Sequence, residues 1–324
     1  MRRILLGSNL MVLLFAGFGI ADGPKITDPK KADADFAFQG EYLGVTTDEV
    51  KVGAQVIALG KGSFRVLAYS EGLPGDPAAA GINDDTVVEG KLNEDKVVFT
   101  FDGGTASIQG GKMTVLEIGG NSLAVLKKVE RKSETLGAKP PAGAIVLFDG
   151  KSTDPWKNGK ISKDGLLMPG VTSKATFGDH TLHVEFRLPY QPQDRGQQRG
   201  NSGIYVQGRY EIQMLDSFGL SGEQNECGGI YSVKKPRVNM CYPPLSWQTY
   251  DIEYTAAKYD GDKLVTHPKM TVRHNGVVIH KDVTLPGNRS TTAAPTKPGN
   301  TPGPVYLQNH GCPVRYRNIW VVKK

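Results

Sequence analysis

Apolar and polar residues alternate with a period of two along much of this 324-residue chain. The pattern is sharpest over 200–217, GNSGIYVQGRYEIQMLDS, which predicts two short strands joined by a turn at Gly208. Ile204, Val206, Tyr210, Ile212 and Met214 share one parity, and Tyr205, Gln207, Arg209, Glu211 and Gln213 share the other. A pleated ribbon buries the first set and presents the second as a polar face. The alternation then breaks, with Leu215 on the polar parity and Asp216 on the apolar one. An unpaired buried carboxylate is costly, so a β-bulge near Leu215 is expected to return Asp216 to the face of Glu211. A turn-capping Asp216, heading the run DSFG, is the other reading.

The same alternation recurs on both sides of this run. Over 36–132 come VGAQVIALG, SFRVLAYS, DTVVEGKL, KVVFTFDGG, ASIQGGKMTVLEI and SLAVLKKVER, separated by Gly- or Asn/Asp-rich turns as in a small all-β meander. That segment has no His, no Cys and no evident catalytic cluster, and reads as an accessory domain. The stretch 133–143, SETLGAKPPAG, has the composition of a fairly stiff linker. From 144 to 324 further strands follow, among them TLHVEFRLPY, WQTYDIEYTAA, PVYLQNH and RYRNIWVVK. In VRHNGVVI, Asn275-Gly276 gives the two-residue hairpin signal. A long Pro/Thr/Gly loop over 285–304 is of the kind that rims a cleft. Many strands without intervening helices predict an all-β protein, a two-sheet antiparallel sandwich of jelly-roll type behind a small N-terminal β domain.

Forty glycines and twenty prolines agree with turn-rich β structure. Residues 1–21 read as a cleavable export signal: Arg2 and Arg3, an apolar stretch over 10–18, then Gly19-Ile20-Ala21. The apolar part is short for a membrane span, so a periplasmic or secreted chain is expected, with a flexible mature terminus over 22–35. The net charge of +6 becomes +4 without Arg2 and Arg3, and the lysines are interspersed with acids, which argues against nucleic-acid binding. Cys227 and Cys241 bracket a short loop that a disulfide would close, leaving Cys312 unpaired. The cysteine spacing matches no metal site and no nucleotide-cofactor motif is present, so no cofactor is expected. A structural calcium is compatible with a lectin-like sandwich, although no defined loop for it stands in the sequence.

Residues 144–324 closely resemble the 3-keto-disaccharide hydrolase domain family. The carrying motifs are LFDGK at 147–151, LHVEFRLP at 182–189, the run at 200–217, CGGIY at 227–231, WQTYDIEY at 247–254, VRHNGVVI at 272–279 and YLQNHGCPVRYRNIWV at 306–321. The resemblance implies a concanavalin A-like lectin/glucanase sandwich. It also implies action on glycosides whose C3 hydroxyl has been oxidised to a ketone.

Such a ketone acidifies the C2–H bond, so cleavage by elimination and rehydration needs a base near C2, an acid near the glycosidic oxygen, and donors to the C3 oxygen. Glu211 is the expected base, with Asp216 or His310 as acid. Arg209, Gln213, Asn201, Gln308, Tyr205 and Tyr231 are the expected sugar-binding residues. Each has a plainer reading: an Arg209–Glu211 surface ion pair, His310 as a turn residue, the tyrosines as packing. His183, Glu185 and Arg187 alternate on one strand face and either line the same cleft or face solvent. The spacing of Glu211, Gln213 and Asp216 resembles the E-x-D-x-x-E strand of retaining β-glucanases, with Gln in place of the central acid. That change weakens an ordinary retaining glycosidase mechanism, which stays as one alternative beside a non-catalytic carbohydrate-binding module.

Overall fold

The computed structural model describes residues 23–79 and 87–324, and the expected export signal over 1–21 lies outside the described residues. The N-terminal part is a closed barrel of eight antiparallel strands. These are β1 (Gly40–Thr46), β2 (Lys51–Gly60), β3 (Ser63–Ser70), β4 (Val87–Asn93), β5 (Lys96–Phe101), β6 (Gly104–Gln109), β7 (Lys112–Glu117) and β8 (Ser122–Val129). Each strand pairs with the next, and β8 returns to β1. The expected meander is therefore closed on itself, which removes its free edges. The closing strand β1 has no run of alternating apolar residues; Gly44 sits there because a Cβ would stand 2.0 Å from the Val125 carbonyl oxygen. Tyr42, Val56, Phe64, Phe99 and Ile108 fill the interior.

Residues beyond the linker form two antiparallel sheets around one core. The strands are β9 (Ile145–Phe148), β10 (Trp156–Lys157), β11 (Val171–Phe177), β12 (His180–Arg187), β13 (Ser202–Val206), β14 (Tyr210–Met214), β15 (Trp247–Thr255), β16 (Lys258–Asp260), β17 (Lys263–Thr266), β18 (Lys269–His274), β19 (Val277–Thr284), β20 (Gly303–Leu307) and β21 (Arg315–Lys323). One sheet runs β10-β11-β20-β13-β14 and the other β19-β18-β15-β12-β21-β9, while β16 and β17 pair only with each other as a small separate ribbon. Ile204, Ile212 and Leu307 from the first meet Leu182, Val184, Phe186, Ile252 and Val321 from the second. The Asn275-Gly276 hairpin has both residues at positive φ, 52° and 88°, as its two-residue turn requires.

The barrel is docked on the sandwich rather than tethered to it. Ile57, Leu67, Tyr69 and Leu73 of the barrel belong to the sandwich core. Gly219, at φ 72°, admits Ile57, whose Cδ1 would lie 2.4 Å from a Cβ there. The terminal segment, expected to be flexible, is bonded along its described length. Ile26 and Tyr190 exchange backbone hydrogen bonds of 3.1 and 2.8 Å, and the Tyr190 hydroxyl donates to Asp33 at 2.8 Å.

The linker is a strap across β12, β15 and β21. The Gly137 amide donates to Glu185 at 2.6 Å, the Thr135 hydroxyl to Asp251 at 2.6 Å, and the Asn318 amide to the Ala138 carbonyl at 2.9 Å. Beneath it His183 meets Asp251 at 2.6 Å and Arg317 donates to Glu185 at 2.6 Å. His183 and Glu185 thus belong to the sheet opposite Glu211 and lie under the linker, neither lining the expected cleft nor facing solvent. Arg187, on the same strand, stacks over Trp247 at 5.0 Å.

Candidate functional site

The register of three neighbouring strands assembles one polar face. Tyr205 pairs with Glu211 and with Tyr306, and Gly203 pairs with Gln213. Period-two geometry then places Gly203 and Tyr205 from β13, with Asn201 just before it, beside Glu211 and Gln213 from β14 and Tyr306 from β20, with Gln308 just after it. The Gln308 amide donates to the Tyr205 hydroxyl at 3.1 Å, and that hydroxyl donates to the Thr292 carbonyl at 2.9 Å. Thr291 and Thr292 come from the long loop after β19, so this loop does lie against the face.

Glu211 is the chemically distinctive residue. It is 2 % exposed, and burial pushes its carboxyl up to about 7, while the Tyr205 hydroxyl beside it acts in the opposite sense. Its backbone is fixed from both sides: its N–H donates to the Thr291 hydroxyl at 2.9 Å and its carbonyl accepts from Tyr231 at 3.1 Å. Burial first, and then the Glu211 charge, raise the Tyr205 phenol, which therefore remains a proton donor. A carboxyl that titrates near neutrality inside a polar cluster has the properties of a general base.

The other expected residues divide. Gln213 and Asn201 are on the face and share Gln197: Gln213 donates to its side-chain oxygen at 3.1 Å, and Asn201 to its backbone oxygen at 2.7 Å. The Asn201 side-chain oxygen is buried with no partner among the described residues. Tyr231 is half-buried next to the Glu211 strand. Tyr205 is fully buried, so it serves as a hydroxyl donor rather than a stacking platform. His310 lies beyond the end of β20, exposed in a bend where Gly311 donates to the Asn309 side chain at 3.0 Å. The structure does not bring it into contact with Glu211.

Three expectations are corrected. β14 ends at Met214 with no bulge, and Asp216 turns away into an ion pair with Arg199 at 2.7 Å. Arg199 also donates to the Ala58 carbonyl of the barrel at 3.3 Å, so a long-range partner, not a bulge, neutralises the buried carboxylate. Arg209 does not reach Glu211. It donates to the carbonyls of Lys297 at 2.7 Å and Thr301 at 3.0 Å, which spends its fork on holding the long loop. Cys227 and Cys241 adjoin but are unbridged thiols, Cys227 lying 3.2 Å from the Tyr250 hydroxyl. Burial, with the Cys227 thiol alongside, pushes the Cys241 thiol up.

Sequence reasoning missed Tyr306 and Gln197. Tyr306 has the parity of Gln308 and was findable on that ground; Gln197 sits in an irregular loop with no such signal. No group of three or more His, Cys, Asp or Glu side chains suited to a metal converges among the described residues. A cavity of about 770 Å³ opens elsewhere, between barrel and sandwich, near Phe36, Gln39, Leu245 and Trp247.

No curated protein sequence matches the chain. Among solved structures, one from Parabacteroides distasonis ATCC 8503, described as a candidate glycosyl hydrolase, is 34% identical over 57% of this chain and 85% of its own, with a TM-score of 0.51. A second candidate glycosyl hydrolase from that organism is 17% identical over 56% of this chain and 94% of its own, with a TM-score of 0.42. The family model of the 3-keto-alpha-glucoside-1,2-lyase-like domain matches residues 143–322, the whole two-sheet part that carries Glu211. The chain belongs to the 3-keto-alpha-glucoside-1,2-lyase-like domain family.

Proposed function

We propose that this protein cleaves glycosides oxidised to a ketone at C3, by elimination across C1 and C2 followed by hydration. The observation that carries this reading is Glu211, a buried carboxyl pushed up to about 7 on a face furnished with hydroxyl and amide donors. Glu211 takes the C2 proton, and the electrons left behind are held at the C3 oxygen. Gln308, whose amide keeps a second N–H beyond the one given to Tyr205, and the Gln213 amide are the donors for that oxygen. The C1–O bond then breaks, and the departing oxygen takes its proton from His310 or back from Glu211. Water adds at C1 of the enone, so the sum is hydrolysis. Half-buried Tyr231 and Tyr306 flank the site and offer ring surfaces to a pyranose. Export through the signal at 1–21 gives access to extracellular or periplasmic glycosides. The reaction as written uses no cofactor.

A conventional retaining glycosidase is the weaker reading. It needs a second carboxyl about 5–5.5 Å from Glu211, and the expected partner Asp216 is spent on Arg199. A carbohydrate-binding module without turnover is the other. Glu211→Gln, assayed against a 3-keto-glucoside and the unoxidised glucoside, separates all three. Elimination predicts turnover of the oxidised sugar alone, lost by ~10²-fold or more in the variant while sugar binding persists. Turnover of the unoxidised glucoside points to the conventional glycosidase. Binding without turnover by the unmodified protein contradicts both enzymatic readings.

A further inference from the structure

Gly203 interrupts a strand face otherwise occupied by Asn201 and Tyr205. Its φ lies outside the left-handed region, so backbone conformation does not call for glycine there. Space does. A Cβ on Gly203 would stand 2.0 Å from Oε1 of Glu211 and 2.8 Å from its Cγ and Cδ. Glu211 is paired with Tyr205 and Gly203 with Gln213, so the glutamate crosses the ribbon diagonally and lies flat on the bare backbone. That backbone is itself held, because the Gln308 N–H donates to the Gly203 carbonyl at 2.9 Å.

We propose that Gly203 is the positioning residue for Glu211: its missing side chain is the recess in which the carboxyl lies, beside Tyr205 and out of water. The obstructed atoms are the far end of a flexible side chain, so alanine at 203 turns Glu211 outward while the strand pairing survives. Water then reaches the carboxyl, which titrates at lower pH, and the proton acceptor is displaced from its donors. The significance for catalysis rests on Glu211 being the base; the recess itself does not.

The test uses the full chain with isotope-labelled glutamate carboxyls, the Glu211 signal being assigned by its loss in Glu211→Gln. Nuclear magnetic resonance titration of the unmodified protein should give a midpoint near 7. In Gly203→Ala it should fall by about one pH unit or more, a tenfold change in the ionisation ratio. An unchanged midpoint overturns the proposal. If Gly203→Ala does not fold, Gly203→Ala/Glu211→Ala should fold like Glu211→Ala alone, since nothing is left to collide. A double variant as unstable as Gly203→Ala overturns the proposal too. On a 3-keto-glucoside, kcat of Gly203→Ala should drop ~10²-fold and its acid limb should move with the midpoint. If the unmodified protein turns over no such sugar, the functional reading fails, and the recess is judged by the titration alone.

Discussion

Asp216 and Arg199 are both buried and meet at 2.7 Å, in the same loops that hold barrel and sandwich together. Removing one partner leaves an uncompensated charge, so Asp216→Ala should destabilise the protein by roughly 3–5 kcal/mol. Urea unfolding checks this. Arg199→Met/Asp216→Leu should recover much of the loss, whereas a catalytic acid at 216 would leave a stable, inactive variant. The face of Glu211 was legible in the sequence because period two alone sets it. The fates of Asp216 and Arg209 were not, since they depend on Arg199 and on the carbonyls of Lys297 and Thr301, and no local spacing reveals such partners. For Glu211 the period gave the direction of the side chain but not its burial, which comes from Gly203 beneath it and the Thr291 loop alongside.

At the scale of elements, the linker behaves as an added layer on the six-stranded sheet. Burial works against the Glu185 charge, yet the His183 ring 3.8 Å away and the hydrogen bonds from Asn318, Arg317 and the Gly137 N–H outweigh it and hold its carboxyl down at about 2. A lowered carboxyl stabilises the fold fully above its ordinary value of 4.5 and loses that stability as pH falls toward about 2. The shift corresponds to about 3 kcal/mol. Glu185→Gln should therefore unfold at lower urea than the unmodified protein at pH 7, with the gap narrowing steadily as pH falls below 4.5. A gap independent of pH would show that the strap does not rest on the Glu185 charge. The linker composition of 133–143 was readable, as was the alternation of His183 and Glu185. Their meeting was not, because it requires knowing which outer sheet face the chain crosses. Strand β1 escaped notice for a related reason: its glycines serve a seam with β8, about eighty residues away.

As a whole, the molecule joins a closed barrel to a two-sheet domain through a shared core, with the barrel gripping the loop that leads into β13. The two-part, all-β plan was written in the turn signals and strand lengths. The docking was not, since the outward parity of Ile57, Leu67 and Tyr69 reads as surface until a partner covers it. In the proposed reaction Glu211 removes the C2 proton of a 3-keto-glycoside before the glycosidic bond is lost. Cleavage of a 3-keto-glucoside in deuterium oxide, followed by mass analysis of the released keto-sugar, tests it most directly. One deuterium should appear at C2 of the released sugar, and none when Glu211→Gln is used. Cleavage by the unmodified protein with no deuterium at C2 would contradict it.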